Sequence, residues 1–179
     1  QLACARAGIV TPEMSYAAAR ENANIEGFVA SLAQPGHERV RDRLMPLLER
    51  LDPWTGERVR ARVAARQAVI PAAFTHPEVE PTIIGRHFST KVNANLGTSA
   101  SSSDWREEGR KMQEALARGA DTVMDLSTGR CIRETREMIL RGSPVPVGTV
   151  PLYETLERAG GDPLALSWMT FRDVMEDQA

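Results

Sequence analysis

The run Asp121-Thr-Val-Met-Asp-Leu-Ser-Thr-Gly-Arg130 is typical of a buried strand that turns through a glycine into a helix. Two similar runs flank it, Lys91-Val-Asn-Ala-Asn-Leu-Gly97 and Pro144-Val-Pro-Val-Gly-Thr-Val-Pro-Leu-Tyr153. The corresponding residues of the three runs lie 29 positions apart, namely Asn95, Met124 and Tyr153. A strand, its crossover helix and the next strand need about 30 residues. The spacing therefore predicts successive units of one parallel β/α structure, whose strand ends converge on a common edge.

The segments between these runs have helical patterns. Asp104 and Glu107 have capping-box spacing before the first helix, residues 131–141 predict the second, and residues 151–159 predict the third. Three βα units form only part of a barrel. We therefore predict an α/β fold in which residues 68–179 form the first part of a (β/α)8 barrel, truncated before closure.

Residues 1–67 precede this alternation and predict a helical N-terminal appendage. Thr11-Pro12-Glu13 is a helix start, and that helix is expected to end near residues 21–24. The next helix has one apolar face, formed by Val40, Leu44, Leu47, Leu48 and Leu51. A third, arginine-rich helix is predicted over residues 57–67. None of these helices carries a catalytic signal, so packing or dimerisation is the expected role.

Composition restricts the class of protein. The chain has 179 residues, of which 42% are hydrophobic, enough for a folded core. The net charge is −2 with scattered basic residues, so a nucleic-acid partner is not expected. No apolar run approaches the roughly 20 residues that cross a bilayer, and the first residues do not resemble a signal peptide. Cys4 and Cys131 are the only cysteines, which favours a reducing cytoplasm.

Polar residues at the three strand ends form the candidate ligand site. Asn93 and Asn95 point to the same side of their strand, and two carboxamides on a buried strand need hydrogen-bond partners. A ligand, backbone groups or water would each satisfy them. Met124 taken alone reads as core filler. Tyr153, in the first turn of a helix at the same rim, would either bind a ligand or cover the sheet end.

The turn after the second strand has two interpretations. The N–H groups of residues 127–129 would form an anion-binding concavity at a helix N-terminus. Alternatively, Asp125 accepts those N–H groups as a structural acid, or it acts as a catalytic acid. The residues alone assign no catalytic group, but they predict a partial barrel that binds a small polar molecule, most readily a phosphorylated one.

Metal binding is not expected from the residues of this chain. His76, Glu78 and His87 lack a compact ligand spacing, and loop histidines of this kind are expected to be solvated. Two cysteines cannot hold an iron–sulfur cluster unaided. The phosphate-binding and hydrolase motifs GxGxxG, GxSxG and HExxH are absent from the sequence.

Several runs closely resemble the phosphomethylpyrimidine synthase family, the radical enzymes that make the pyrimidine half of thiamine. The resemblance covers nearly the whole chain apart from residues 27–66. Besides the three strand runs, it rests on Gly8-Ile-Val-Thr-Pro-Glu-Met14, Arg20-Glu-Asn22, Ile83-Ile-Gly-Arg86, Glu134-Thr-Arg-Glu137 and Ser143-Pro-Val-Pro-Val-Gly-Thr-Val-Pro151.

The resemblance implies a (β/α)8 barrel that converts 5-aminoimidazole ribonucleotide to 4-amino-5-hydroxymethyl-2-methylpyrimidine phosphate. The helical front end favours a homodimer, and the two cysteines favour a cytoplasmic location. The resemblance also implies a 4Fe–4S cluster that cleaves S-adenosylmethionine to a radical, together with zinc. The family residues that match Asn95, Met124 and Tyr153 line the ribonucleotide site. By this resemblance Asn95 makes a polar contact, Met124 flanks the substrate with an apolar side chain, and Tyr153 makes a contact through its hydroxyl. The family's cluster and zinc ligands lie downstream of residue 179, so we expect a piece of a longer protein, inactive alone, with no cofactor-binding residue of its own.

Some positions depart from the family pattern and keep alternatives open. Ala73-Phe-Thr75 stands where Asn-Ile-Asn is common, Thr98 replaces an Asn, and Arg133 replaces a His. The loss of two carboxamide side chains at residues 73–75 keeps open the alternative of a non-catalytic nucleotide-binding homologue. Gly97-Thr-Ser99 resembles the paralogue 5-hydroxybenzimidazole synthase, which uses the same substrate, although residues 83–86 and 134–137 favour the thiamine enzyme. An aldolase-type barrel is disfavoured because Lys91 lies at the wrong end of its strand.

Overall fold

The structure is a computed structural model that describes residues 1–73, 75–99, 101 and 104–178. Phe74, part of the departure at residues 73–75, lies outside the described residues. The fold is mixed α/β, as predicted, and the described strands do not close into a barrel. Two compact units are present. The first unit contains residues 1–71 and 81–90, and the second contains residues 72–80 and 91–179.

The first unit is mainly helical. Its helices are α1 (Leu2–Arg6), α2 (Pro12–Leu32), α3 (Glu38–Leu48) and α4 (Gly56–Ala64). The antiparallel strands β1 (Ala68–Val69) and β2 (Ile84–Gly85) complete it. Its core contains Ala5, Met14, Ala17, Ala18, Val59, Val63, Ile70 and Ile83.

Helix α2 begins where predicted but runs further. The Thr11 side chain accepts the N–H of Met14, and Pro12 takes the first helical position. The predicted end near residues 21–24 is wrong, because the helix continues to Leu32. The only breaker in that stretch is Gly27, and an interior glycine costs a helix only about 1 kcal/mol relative to alanine.

The predicted apolar face of α3 does not form a core within its unit. No residue of α3 is buried, and Val40 and Leu47 are about half exposed (49% and 58%). Pro46 lies inside the helix, which ends at Leu48 rather than at Leu51.

The second unit is built on three parallel strands in chain order, β3 (Asn93–Leu96), β4 (Thr122–Asp125) and β5 (Val147–Gly148). Its helices are α5 (Trp105–Ala117), α6 (Ile132–Gly142), α7 (Pro151–Arg158) and α8 (Trp168–Gln178), with a 3-10 turn at Pro163–Ala165. The predicted succession of parallel βα units is therefore confirmed for the three strands. No helix among the described residues is long and apolar enough to span a membrane.

The two faces of this sheet differ in what they contact. Leu96 and Val123 face the core, where they pack with residues of α5 and α6, including Met112 and Ile139. Burying an aliphatic side chain of this size stabilises a fold by about 1.5–3 kcal/mol. Because side chains alternate along a strand, the residues between them project to the opposite face. That face carries the candidate site.

Candidate functional site

Asn95 and Met124 lie side by side on the sheet. They are register partners on β3 and β4, and Met124 is in turn the register partner of Gly148 on β5. Asn95 is exposed and Met124 is half-buried. A Cβ at Gly148 would lie 3.5 Å from Cγ of Met124, in ordinary van der Waals contact. Glycine therefore leaves the space beside the thioether open.

The two carboxamides of β3 are exposed rather than buried, and they hydrogen-bond each other. Asn93 Nδ2 donates to Asn95 Oδ1 at 2.8 Å. Thr122, the register partner of Asn93, donates from Oγ1 to Asn93 Oδ1 at 3.0 Å. The expectation of a buried strand was wrong for this face, because α5 and α6 cover the other one. Sequence reasoning missed Thr122, although its distance of 29 residues from Asn93 was a usable signal.

Tyr153 lies at the start of the helix that follows β5. It lies in the first turn of α7, and its side chain lines a cavity of about 350 Å³. The other described lining residues are Thr128, Gly129, Arg130, Leu156, Glu157, Gly160 and Gly161. Asn95 and Met124 are not in this described lining. The structure therefore makes Asn95 and Met124 direct neighbours and places Tyr153 in the lining of this cavity.

A second cavity, of about 530 Å³, adjoins the loop after β4. It shares Thr128, Gly129 and Arg130 with the first cavity, and its other described lining residues are Thr98, Ser99, Asp104, Trp105, Cys131 and Thr135. Asp104 caps α5 as predicted, since its carboxylate accepts the N–H groups of Arg106 and Glu107, both at 2.9 Å. This cavity lies at the carboxyl ends of the parallel strands, where α/β proteins bind ligands.

Asp125 accepts hydrogen bonds within its own turn. Its Oδ1 accepts from N–H of Ser127 at 3.0 Å and from Oγ of Ser127 at 2.5 Å. Burial raises the pKa of Asp125 above its ordinary value, although hydrogen bonds from Ser127 and the charge of Arg136 oppose that rise. Of the two interpretations of this turn, the geometry supports the structural one.

Two of the three N–H groups of the predicted anion concavity are bound by the protein itself. The N–H of Ser127 is bound to Asp125, and the N–H of Thr128 donates to the carbonyl of Thr98 at 2.9 Å. At the start of α6, the N–H of Ile132 lies 3.3 Å from a carboxylate oxygen of Glu157. These groups are therefore not free to bind an external anion.

Gly97 lies where the loop after β3 comes close to the loop after β4. Its φ is 144°, and a Cβ there would lie 2.5 Å from N of Ser127. Its own N–H donates to Glu108 Oε2 at 2.8 Å. Glu108 is fully buried and forms an ion pair with Lys111 at 2.6 Å. Sequence reasoning missed Glu108; the usable signal was an acid four residues before Met112, on the apolar face of α5.

A buried ion pair connects the helices that follow. Arg136 on α6 binds Glu154 on α7, and both side chains are more than nine-tenths buried. Burial alone would raise the pKa of Glu154, but hydrogen bonds from Arg136, Gln178 and Arg158 together hold that pKa below its ordinary value. The Glu134-Thr-Arg-Glu137 run therefore has a structural role through Arg136.

The histidines do not form a metal site. His76 is buried rather than solvated, because its Nε2 donates to the carbonyl of Ser143 at 2.7 Å. His87 is exposed and belongs to the other unit. Within the described ranges no group of three or more His, Cys, Asp or Glu side chains could hold a metal ion. Cys4 and Cys131 are both free, and two thiols alone do not fit an iron–sulfur cluster.

The chain matches the model of the Radical SAM ThiC family over residues 1–179, which is its whole length.

Proposed function

The chain belongs to the Radical SAM ThiC family, which makes the pyrimidine of thiamine, and on that premise we propose that it binds and orients 5-aminoimidazole ribonucleotide. In the proposed reaction a carbon–carbon lyase rearranges this ribonucleotide to 4-amino-5-hydroxymethyl-2-methylpyrimidine phosphate. The observation that carries the proposal is the adjacency of Asn95 and Met124, with Gly148 leaving space beside them.

We place these residues inside a (β/α)8 barrel. Consecutive strands of the sheet are parallel neighbours, and the core formed with α5 and α6 lies on one face. A barrel segment has this arrangement, since its helices form the outer ring and its other face points to the interior. A doubly wound sheet would instead carry helices on both faces. Residues 68–179 are proposed as the first part of this barrel, and residues 1–67 as a helical appendage.

Each site residue has a proposed role in binding. Asn95 hydrogen-bonds the ribonucleotide, and the Met124 thioether packs against the flat imidazole ring. The Tyr153 hydroxyl contacts the substrate from the start of α7. The loop after β4 lines the same cavity as Tyr153 and lies between it and the sheet in this proposal. These groups hold and orient the substrate, and none of them exchanges a proton with it in this proposal.

The radical family implies a 4Fe–4S cluster and S-adenosylmethionine, which supply the radical when they are bound. The residues present here do not fit the cluster, so we place its ligands, and those of a zinc ion, outside residues 1–179. We further propose that the protein is a cytoplasmic homodimer.

Product analysis of the full-length protein with reconstituted cluster tests the proposed reaction. The expected product from 5-aminoimidazole ribonucleotide is the hydroxymethylpyrimidine phosphate. Formation of 5-hydroxybenzimidazole would assign the protein to the paralogue that Gly97-Thr-Ser99 resembles. Binding of the ribonucleotide without any product would identify a non-catalytic homologue.

Substitution of Asn95 tests the site independently of turnover. Asn95→Ala should weaken ribonucleotide binding by about tenfold in calorimetry, because one hydrogen bond is lost. Asn24→Ala is the matched control, since Asn24 is an exposed amide on α2. Equal affinities for the two variants would refute the role of Asn95.

A further inference from the structure

The side-chain hydrogen bonds on the candidate face run in one direction, from Thr122 through Asn93 to Asn95. Thr122 donates its hydroxyl to the carbonyl oxygen of Asn93, and the Asn93 amide nitrogen donates to the carbonyl oxygen of Asn95. The Asn95 oxygen is thus already bound within the protein. Its Nδ2 has no hydrogen-bond partner in the described part of the chain and projects from the exposed face of the sheet.

In this order Asn95 offers its N–H donors to a ligand. An amide presents a carbonyl acceptor on one side and two N–H donors on the other. While Asn93 and Thr122 keep their observed orientation, rotating the Asn95 amide by half a turn would place its N–H groups against those of Asn93, which loses one hydrogen bond and opposes two donors. One hydrogen bond corresponds to about a tenfold preference for the observed orientation.

We propose that Asn93 and Thr122 are positioning residues, which hold the Asn95 amide so that it donates hydrogen bonds to an acceptor atom of the ligand. The ligand atom is a ring nitrogen with a free lone pair or an oxygen of the ribose phosphate. The inference rests on the proposed function, since it assumes that a ligand binds this face. It adds that Asn95 is the hydrogen-bond donor to the ligand, and it assigns two residues that act through Asn95.

A double-mutant cycle in the full-length protein tests the positioning role. The readout is calorimetric affinity for 5-aminoimidazole ribonucleotide without S-adenosylmethionine, so that no turnover occurs. Asn93→Ala should weaken binding by about threefold to tenfold in the native background and should have no further effect in Asn95→Ala. Thr122→Val should act in the same direction but more weakly, and Thr122→Ser should restore affinity because it keeps the hydroxyl.

The polarity of the contact is tested by Asn95→Asp. This change keeps the shape and the acceptor for Asn93 but replaces the two outward donors with a carboxylate oxygen. Affinity should fall about a hundredfold or more, well below that of Asn95→Ala, because two acceptors would face each other. Ribose 5-phosphate serves as a second probe. If the variants weaken binding of ribose 5-phosphate as much as binding of the ribonucleotide, the acceptor atom lies on the ribose phosphate. If they do not, the acceptor atom lies on the imidazole ring.

The outcomes separate this inference from the proposed function. If Asn95→Ala binds the ribonucleotide normally, the proposed site itself is wrong. If Asn95→Ala is weakened but Asn93→Ala lowers affinity equally in both backgrounds, the site stands and the positioning role is overturned. If Asn95→Asp binds as tightly as the native protein, Asn95 accepts from the ligand, and the polarity is overturned. Thermal melting of each variant beside Asn24→Ala verifies that the fold is retained.

Discussion

Gly97 has a backbone that no other residue adopts without strain. Its φ is 144°, and a Cβ would lie 2.5 Å from N and 2.6 Å from the carbonyl carbon of the neighbouring loop, at Ser127 and Leu126. The loops cannot separate easily, because backbone hydrogen bonds hold them on both sides, from Leu126 N to Leu96 O and from Thr128 N to Thr98 O.

We expect Gly97→Ala to lower the free energy of unfolding by about 2–4 kcal/mol, as a sum of backbone strain and steric overlap. Gly119→Ala is the matched control. Gly119 also has a positive φ, of 88°, but a Cβ there meets no atom within 4 Å, so about 1–2 kcal/mol of strain is expected. Urea unfolding measures both. Equal destabilisation by the two changes would show that the close approach at Gly97 is unimportant.

Two buried threonines give a paired test of hydrogen bonding. Thr98 is 7% exposed, and its Oγ1 has no partner among the described residues. Thr155 is 1% exposed, and its Oγ1 donates to the Pro151 carbonyl at 2.9 Å. Thr98→Val should therefore be neutral or stabilise by up to about 1 kcal/mol, whereas Thr155→Val should destabilise by about 1 kcal/mol. Chemical unfolding of both variants would contradict this account if their effects had the same sign and size.

The contact between α6, α7 and α8 depends on the charge of Glu154. Because hydrogen bonds from Arg136, Gln178 and Arg158 hold its folded pKa below the ordinary value, the carboxylate stabilises the fold above about pH 4.3. That stability is lost as the pH falls through the depressed folded pKa. Asp125 contributes with the opposite sign, since burial raises its pKa.

The native protein should therefore lose more unfolding free energy between pH 7 and pH 3 than Glu154→Gln does, and the difference between the two isolates Glu154 from Asp125. Urea unfolding across this range is the measurement. Parallel curves for the two proteins would mean that Glu154 ionises equally in the folded and unfolded states.

At the level of whole elements, the features that follow from local sequence patterns were predictable, and the features that depend on tertiary contacts were not. The interval of 29 residues located β3 and β4 with their parallel order, and Asp104 marked the start of α5, because both are local patterns. The burial of His76 depends on Ser143, 67 residues away in the sequence, and that of Glu108 on a contact with the loop after β3. The cavity that Tyr153 lines was not predictable either, because strand spacing does not determine how the next helix packs beside the sheet.

The polypeptide passes between the two units three times, after residues 71, 80 and 90. Residues 72–80 therefore belong with the parallel sheet although they precede β2 in the sequence. Contacts with the end of α6 and with the loop before β5 explain this placement. His76 Nε2 donates to Ser143 O, the N–H of Glu80 donates to Pro144 O at 2.8 Å, and Arg141 binds both Glu78 and the carbonyl of Thr75.

These contacts predict that His76 anchors the 72–80 segment. His76→Ala removes a buried hydrogen bond and its packing, so the Glu80 amide should exchange with deuterium about tenfold or more faster. The Val123 amide, which donates to Pro146 O within the sheet, should keep its protection. His87→Ala is the matched control, because His87 is exposed. Unchanged exchange at Glu80, or equal acceleration at Glu80 and Val123, would mean that the segment is held by other contacts or that the whole unit opens together.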